Sequence, residues 1–334
     1  MNAPYSSRRR KWLSWSLLML VAIVFPFVAT PLLLDLSCQV FLTAIGALSL
    51  MVLTGYAGQI SLGHAGLLAA GAFTVGILSK ELMAPFWITL PVAVVVGAIL
   101  GFIFGLPSLR LRGAYLAIST LALHFVVIYG GSEYETKRGL SSGIIVDPPT
   151  MFGVSVYDGR AWFFILLFCS LLTYLAFANL LAARTGRAWG ALQTNAAVAE
   201  ALGINIARYK LLAFVITSAV TAFAGALFAY YRGFVSVEAF SLYLSIQYVA
   251  MIIVGGMGSL LGALLGALFV TILPYVIEAS LLLLPFSENS AGATFAVNYA
   301  AFGIVMILFL VFEPNGVVGI WRRLVAAYRR ARQP

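Results

Sequence analysis

The sequence predicts an all-α protein that crosses a membrane about ten times, and three observations carry that prediction. Hydrophobic residues fill 62% of the 334 positions and charged ones only 9%, against about 25% charged in soluble domains. The apolar residues gather into ten runs, most of them near the roughly 20 residues that a spanning helix needs. The basic residues are shared unevenly between the gaps that separate those runs. Nothing in composition marks a second domain, and the longest polar gap is 132–160, so 1–334 reads as one transmembrane domain.

The runs are 12–34, 36–53, 64–78, 88–106, 113–131, 161–183, 211–231, 242–254, 260–284 and 295–312. The first follows Arg8, Arg9, Arg10 and Lys11 and looks like a signal peptide. It is too long for a cleaved apolar core, and further runs follow, so it reads as a retained span. The third and eighth are short and border glycine clusters, which predicts broken spans or extension into neighbouring residues. Cys38 and Cys169 lie in apolar runs and read as small packing residues, not as a disulfide framework.

With the N-terminus inside and ten spans, fifteen Lys and Arg fall inside: the basic 1–11 end, Arg110 and Arg112, the four of 184–210, and the five of the 321–334 end. Five fall outside: Lys80, Lys137, Arg138, Arg160 and Arg232. Basic residues are retained on the cytoplasmic side. Both termini and 184–210 are therefore expected in the cytoplasm and 132–160 outside. The net charge of +9 is explained by this topology and does not call for a nucleic acid partner.

The segment 184–210 stands apart. It carries Arg184, Arg187, Glu200, Arg208 and Lys210, and each charge at mid-membrane would cost roughly 2.5–3.5 kcal/mol on insertion scales. Its Ala-rich stretch 188–202 predicts a helix capped by Gly203, with Ala191, Leu192, Val198, Ala199 and Leu202 on one apolar face. Such a helix is either an ordinary solvated surface helix or a docking element.

Glycine clusters at 55–76 and 255–266. Gly258, Gly262 and Gly266 have the four-residue spacing of closely packed membrane helices, while Gly255 and Gly256 suggest a turn or break. Gln59, Ser61 and His64 sit among Gly58 and Gly63, on backbone that resists a smooth helix. They either face a water-filled path or satisfy the broken helix's own amides and carbonyls.

Several chemistries lack their constellation. There is no phosphate loop of the Gly-x-x-x-x-Gly-Lys-Ser/Thr type, so no ATPase site of its own is expected. The two histidines, His64 and His124, form no metal-ligand spacing. Mid-span carboxylates that could couple a carrier to protons are scarce: Glu278 lies towards the outer end of a run, and Asp35, Glu238 and Glu313 flank runs. A non-enzymatic transport subunit driven by an external motor fits best. A self-sufficient secondary carrier or a membrane scaffold are the rivals.

Three stretches resemble the permease subunits of branched-chain amino acid ABC importers, the M-type more than the H-type. The first is 55–65, reading GYAGQISLGHA, with Gly71, Ala72 and Phe73 after it. The second is 109–122, LRLRGAYLAISTLA. The third runs from Thr185, Gly186 and Arg187 through Asn195, Glu200 and Gly203 to Lys210, and on to the glycines of 254–259. Glu313, Pro314 and Asn315 look like the family's closing turn. The resemblance covers most of 45–320. It departs at 138–143, RGLSSG, where the family usually shows a Thr-Gly-Gly-type turn.

The resemblance implies a subunit of an ATP-driven importer in a bacterial-type inner membrane. A second permease would make a heterodimer. Two ATPases would bind the ATP and magnesium, while this chain would need no cofactor. An extracytoplasmic binding protein would deliver the substrate. Arg184, Gly186, Arg187, Asn195, Glu200, Gly203 and Lys210 would couple to the ATPase. Gln59, Ser61, His64, Ser119 and Thr120 would line the path, and Gly58, Gly63, Gly255, Gly256 and Gly258 would shape it. Importers of urea or short amides are close relatives and stay open as alternatives.

Overall fold

The computed structural model describes residues 23–111, 113–139, 143–151, 154–281, 291–313, 316–320 and 323. The helices are α1 (Pro31–Leu50), α2 (His64–Leu82), α3 (Phe86–Gly105), α4 (Ala114–Lys137) and α5 (Gly159–Ala182). After them come α6 (Arg184–Thr194), α7 (Ala196–Ala201), α8 (Ile206–Arg232), α9 (Leu242–Gly255), α10 (Leu260–Leu281) and α11 (Ala291–Phe312). Among the described residues, eight helices are long and apolar enough to cross a membrane. Most of the expected runs coincide with one of these helices, because a chain in hydrocarbon must satisfy every amide within a helix.

The first expected span does not keep its bounds. A helix over 23–28 stops, Thr30 takes extended backbone as an N-cap, and Pro31 opens α1. Proline suits that first position, since its missing N–H has no partner there anyway. Residues 31–34 therefore belong to the second helix, and 12–22 lie outside the described residues. The basic 1–11 end and most of the 321–334 end lie outside them as well. Asp35, expected to flank a span, is inside α1 and accepts a hydrogen bond from the Tyr231 hydroxyl. The third run is not short, since α2 continues to Leu82. The gap expected at 132–160 begins late, because α4 runs on to Lys137.

Three helices occupy the centre. α1 is the most buried of the long elements, followed by α2 and α8, and α8 packs on α3, α2 and α1. The α3–α8 seam is built by Gly97, Gly101 and Gly105, spaced four apart, against Ala222, Ser218 and Phe214. Small residues at that spacing let two backbones approach within van der Waals contact. Gly262 and Gly266 do the same for α10 against α9, where Cβ atoms would meet the carbonyls of Gly256 and Met251. Gly258 does not join that stripe. It lies before α10 with φ +81°, in the turn itself.

The outer helices turn apolar side chains away from the bundle, as Val95, Ile99 and Phe102 on α3 and Phe168, Leu172 and Leu175 on α5 do. At the end of α8 remote from α6 and α7, short strands pair. β1 (Ile144–Ile145) runs antiparallel to β4 (Phe234–Val235), with Ile144 opposite Val235. β2 (Thr150–Met151) and β3 (Val154–Ser155) form a hairpin. Asp158 then caps α5 by accepting from the Arg160 amide at 3.1 Å.

Candidate functional site

The polar segment after α5 folds as two helices, not the single helix expected over 188–202. Asn195 divides them. It adopts extended backbone, and its Oδ1 accepts from the amides of Ala197 at 3.1 Å and Val198 at 3.2 Å. An Asn side chain competes with the helical ladder in this way, and the local cap outweighs the propensity of the alanines around it. Gly203 ends α7 with φ +84° and donates its amide to the Glu200 carbonyl at 2.9 Å. Asn205 then caps α8 by accepting from the Arg208 amide at 2.9 Å.

The segment is fastened to the bundle at several points. A Cβ on Gly186 would overlap the Leu181 backbone, so α6 can fold back on α5 only with glycine there. Arg187 Nη1 donates to the last-turn carbonyl of Ala182 at 3.0 Å. Trp189 is fully buried, and its indole N–H donates to the Tyr209 carbonyl at 2.9 Å. That bond ties α6 to the first turn of α8. The expected apolar face is split: Leu192 and Ala199 are buried, but Val198 is 54% and Leu202 76% exposed. Arg184 and Glu200 are also exposed.

Facing this segment is an interrupted span. α1 runs into a wide π-helical turn, Met51–Tyr56, and then into irregular backbone until α2 starts at His64. Gln193 Nε2 of α6 donates to the Gly55 carbonyl in that turn at 2.9 Å. Gln59 Nε2 returns the connection, donating to the Lys210 carbonyl in α8 at 3.2 Å. Gly58, with φ +66°, lies against the Gln193 side chain. The irregular backbone of 55–59 is thus bonded both to α6 and to the start of α8.

The start of α2 is held from two other helices. The Leu62 amide donates to Thr120 Oγ1 of α4, and the Ala65 amide to Ser245 Oγ of α9, each at 2.9 Å. Gly63 packs on the Thr120 carbonyl, and the His64 ring lies 4.6 Å from the Tyr248 ring. Gln59, Ser61, His64 and Thr120 are all buried in the chain as it stands, and Ser119 is half-buried. Gln59 and Lys210 are brought together. The Ser119 side chain makes no hydrogen bond to the others among the described residues. Gln59 Oε1 and His64 Nε2 are buried with no partner among the described residues, as is His124 Nδ1 beside Gly66. Unmatched polar atoms cluster at the interruption, where such groups are costly.

The glycine turn between α9 and α10 closes the site. Gly256 has φ +110° and ends α9, and the Gly258 amide lies 3.3 Å from Met51 Sδ beside Gly55. No group of three or more potential metal ligands occurs among the described residues. Trp189, Gln193 and Tyr248 were not among the expected site residues. A tryptophan in a polar, charged segment was the one available sign for Trp189. The Gln193–Gly55 contact joins residues 138 positions apart and leaves no mark in a single sequence.

The chain matches the family described as branched-chain amino acid transport system, permease component, over residues 32–311. It is 31% identical to the high-affinity branched-chain amino acid transport system permease protein LivM of Salmonella typhimurium, covering 91% of this chain and 74% of that protein. The probable branched-chain amino acid transport permease protein LivM of Methanocaldococcus jannaschii is 28% identical over 81% of this chain and 89% of its own length. The autoinducer 2 import system permease protein LsrC of Enterobacter sp. is 30% identical over about half of each chain. No solved structure matches. An interrupted span, a polar helix pair bonded to it and a match across 280 residues lead to one assignment: the chain belongs to the family of branched-chain amino acid transport permeases.

Proposed function

We propose that this chain is the M-type membrane subunit of an ATP-driven importer for branched-chain amino acids, paired with a second permease. Two ATPases engage α6 and α7 from the cytoplasm, and an extracytoplasmic binding protein delivers substrate to the opposite side of an inner membrane. The spans number about ten on this reading, with both termini inside. The observation that carries it is the pair of bonds from Gln193 to Gly55 and from Gln59 to Lys210. A push on the helix pair reaches the interrupted span directly through them. Rigid-body rocking of packed helices around a central site is how such transporters alternate access. Gln59, Ser61, His64, Ser119 and Thr120 belong to the moving side of that path.

The test is uptake by the complete complex in proteoliposomes with labelled leucine, urea and an aromatic amino acid. Leucine should enter in an ATP-dependent way, and urea should not. Preferential urea uptake would replace this reading with an amide importer. Purified alone, the chain should hydrolyse no ATP, since it has no phosphate-cradling loop. Sustained hydrolysis by the isolated chain would contradict the assignment of the motor to partner subunits.

A narrower prediction concerns Gln59. Gln59→Leu removes the hydrogen bond to the Lys210 carbonyl, worth about 0.5–1.5 kcal/mol. Leucine uptake should fall by about tenfold while ATPase co-purification is unchanged. Normal uptake in Gln59→Leu would mean that this contact does not transmit motion.

A further inference from the structure

We propose that a cavity of about 460 Å³ among α1, α2, α8, α9 and α10 holds one amino acid zwitterion with an apolar side chain during passage through this subunit. The proposal rests on the transport reading above and names where the cargo sits. The volume falls within the roughly 300–1,000 Å³ of small-ligand pockets.

Chain direction gives the cavity its orientation. α8 starts beside the coupling segment and ends 27 residues later at Arg232, about 40 Å away at 1.5 Å per residue. α10 starts beside the glycine turn and carries Glu278 near its far end. Arg232 and Glu278 both line the cavity, so its charged rim lies on the side from which a delivered substrate arrives. Among the described residues neither takes part in an ion pair.

Below the rim the lining carries no charge and mixes apolar side chains, among them Phe228, Phe240 and Leu244, with neutral polar ones. Gln39 Nε2 donates to the Tyr275 hydroxyl at 3.2 Å, and the hydroxyls of Thr43 and Thr271 lie 3.0 Å apart. Deeper still, Leu42, Leu68 and Met251 form an apolar floor with Tyr248.

This gradient fits one ligand chemistry. A zwitterion leaving water needs an opposite charge for each end, because an unpaired charge is expensive at membrane depth. A guanidinium and a carboxylate on one rim supply both, with charge-assisted hydrogen bonds. The apolar side chain then points to the floor. A neutral amide such as urea would use neither charge nor floor. The floor also meets the interrupted span, since Tyr248 packs on His64 and Ser245 accepts from the Ala65 amide. Filling the cavity therefore presses on the segment that Gln193 and Gln59 bond to α6 and α8.

The experiment uses the complete complex, carrying Cys38→Ala, Cys169→Ala and Thr271→Cys in this chain, and a water-soluble methanethiosulfonate added from outside. Thr271→Cys should label, and millimolar L-leucine should protect it. Leucinamide and 4-methylpentanoate, each lacking one charge, should need about tenfold higher concentration, and glycine should not protect. Adding Glu278→Gln should remove leucine protection without stopping the labelling. A cysteine that stays unreactive in the assembled complex would show that the second permease or lipid fills the space, and would overturn the site. Labelling that proceeds equally with leucine, urea and no ligand would overturn it too. Leucine uptake by the unsubstituted complex is scored separately. Uptake without protection sinks the site alone, and protection without uptake sinks the transport reading alone.

Discussion

Gly225→Leu should leave no stably folded permease, the largest effect expected of any single substitution in the bundle. At the α2–α8 crossing two glycines face each other reciprocally. A Cβ on Gly71 would overlap the Ala222 carbonyl, and a Cβ on Gly225 would overlap the Leu68 carbonyl. Both obstacles are backbone, so no rotamer change can make room. Gly71 and Gly225 are also buried, with no lipid to displace. Overpacking a dense core costs about 1–3 kcal/mol when side chains can shift, and more when they cannot. Here the penalty is expected at about 3 kcal/mol or above, in proteins whose total stability is about 5–15 kcal/mol. The measurement is the monodisperse fraction after detergent extraction, with thermal melting of what survives. Gly130→Leu is the control, because a Cβ there meets nothing within 4 Å. A Gly225→Leu protein as monodisperse and as heat-stable as Gly130→Leu would show that the crossing is looser than described.

How much of this was readable in advance follows from which forces act locally. The spanning helices were legible because run length and apolar content answer directly to the bilayer. The differences lie at breakers: Pro31 begins a helix inside the apolar run 12–34. The division of 184–210 at Asn195 was hidden by the opposite conflict. Alanine propensity favours one helix, but a single side chain offering two cap bonds wins. The run 55–65 announced irregular backbone through its glycines, yet not its partners. Gln59 and Gln193 look like any two polar residues until α6 and the π-helical turn are seen side by side. The cavity was less legible still, because its lining comes from five helices and each contributes residues that read as ordinary apolar or rim positions. In sequence, Glu278 and Asp35 are only isolated acids near span ends.

The second large effect should come from Leu202→Arg: assembly of the two permeases intact, ATPase binding weakened about a hundredfold or more, and ATP-driven uptake lost. Leu202 is 76% exposed and Val198 54% exposed on a helix pair whose other large apolar residues, Trp189 and Leu192, are turned into the bundle. Two large apolar side chains left bare on a polar, charged helix pair are consistent with a protein-facing contact. A guanidinium placed there would be buried on docking without a partner, which costs several kcal/mol, and each 1.4 kcal/mol is a factor of ten in affinity. The bundle itself should not notice, since Leu202 supports none of its packing. Leu202→Met keeps an apolar contact of similar size and should retain most uptake. Gly203→Val tests the same contact from the backbone. With φ +84° at that position, a β-branched residue is strained and α7 must shift, so uptake should fall even though Leu202 is unchanged. Full ATPase co-purification and full uptake in Leu202→Arg would assign this exposed face to solvent and move the docking surface elsewhere on the chain. If binding persists but uptake is lost, the face transmits motion more than it anchors, and the bonds from Gln193 to Gly55 and from Gln59 to Lys210 become the place to look for the broken link.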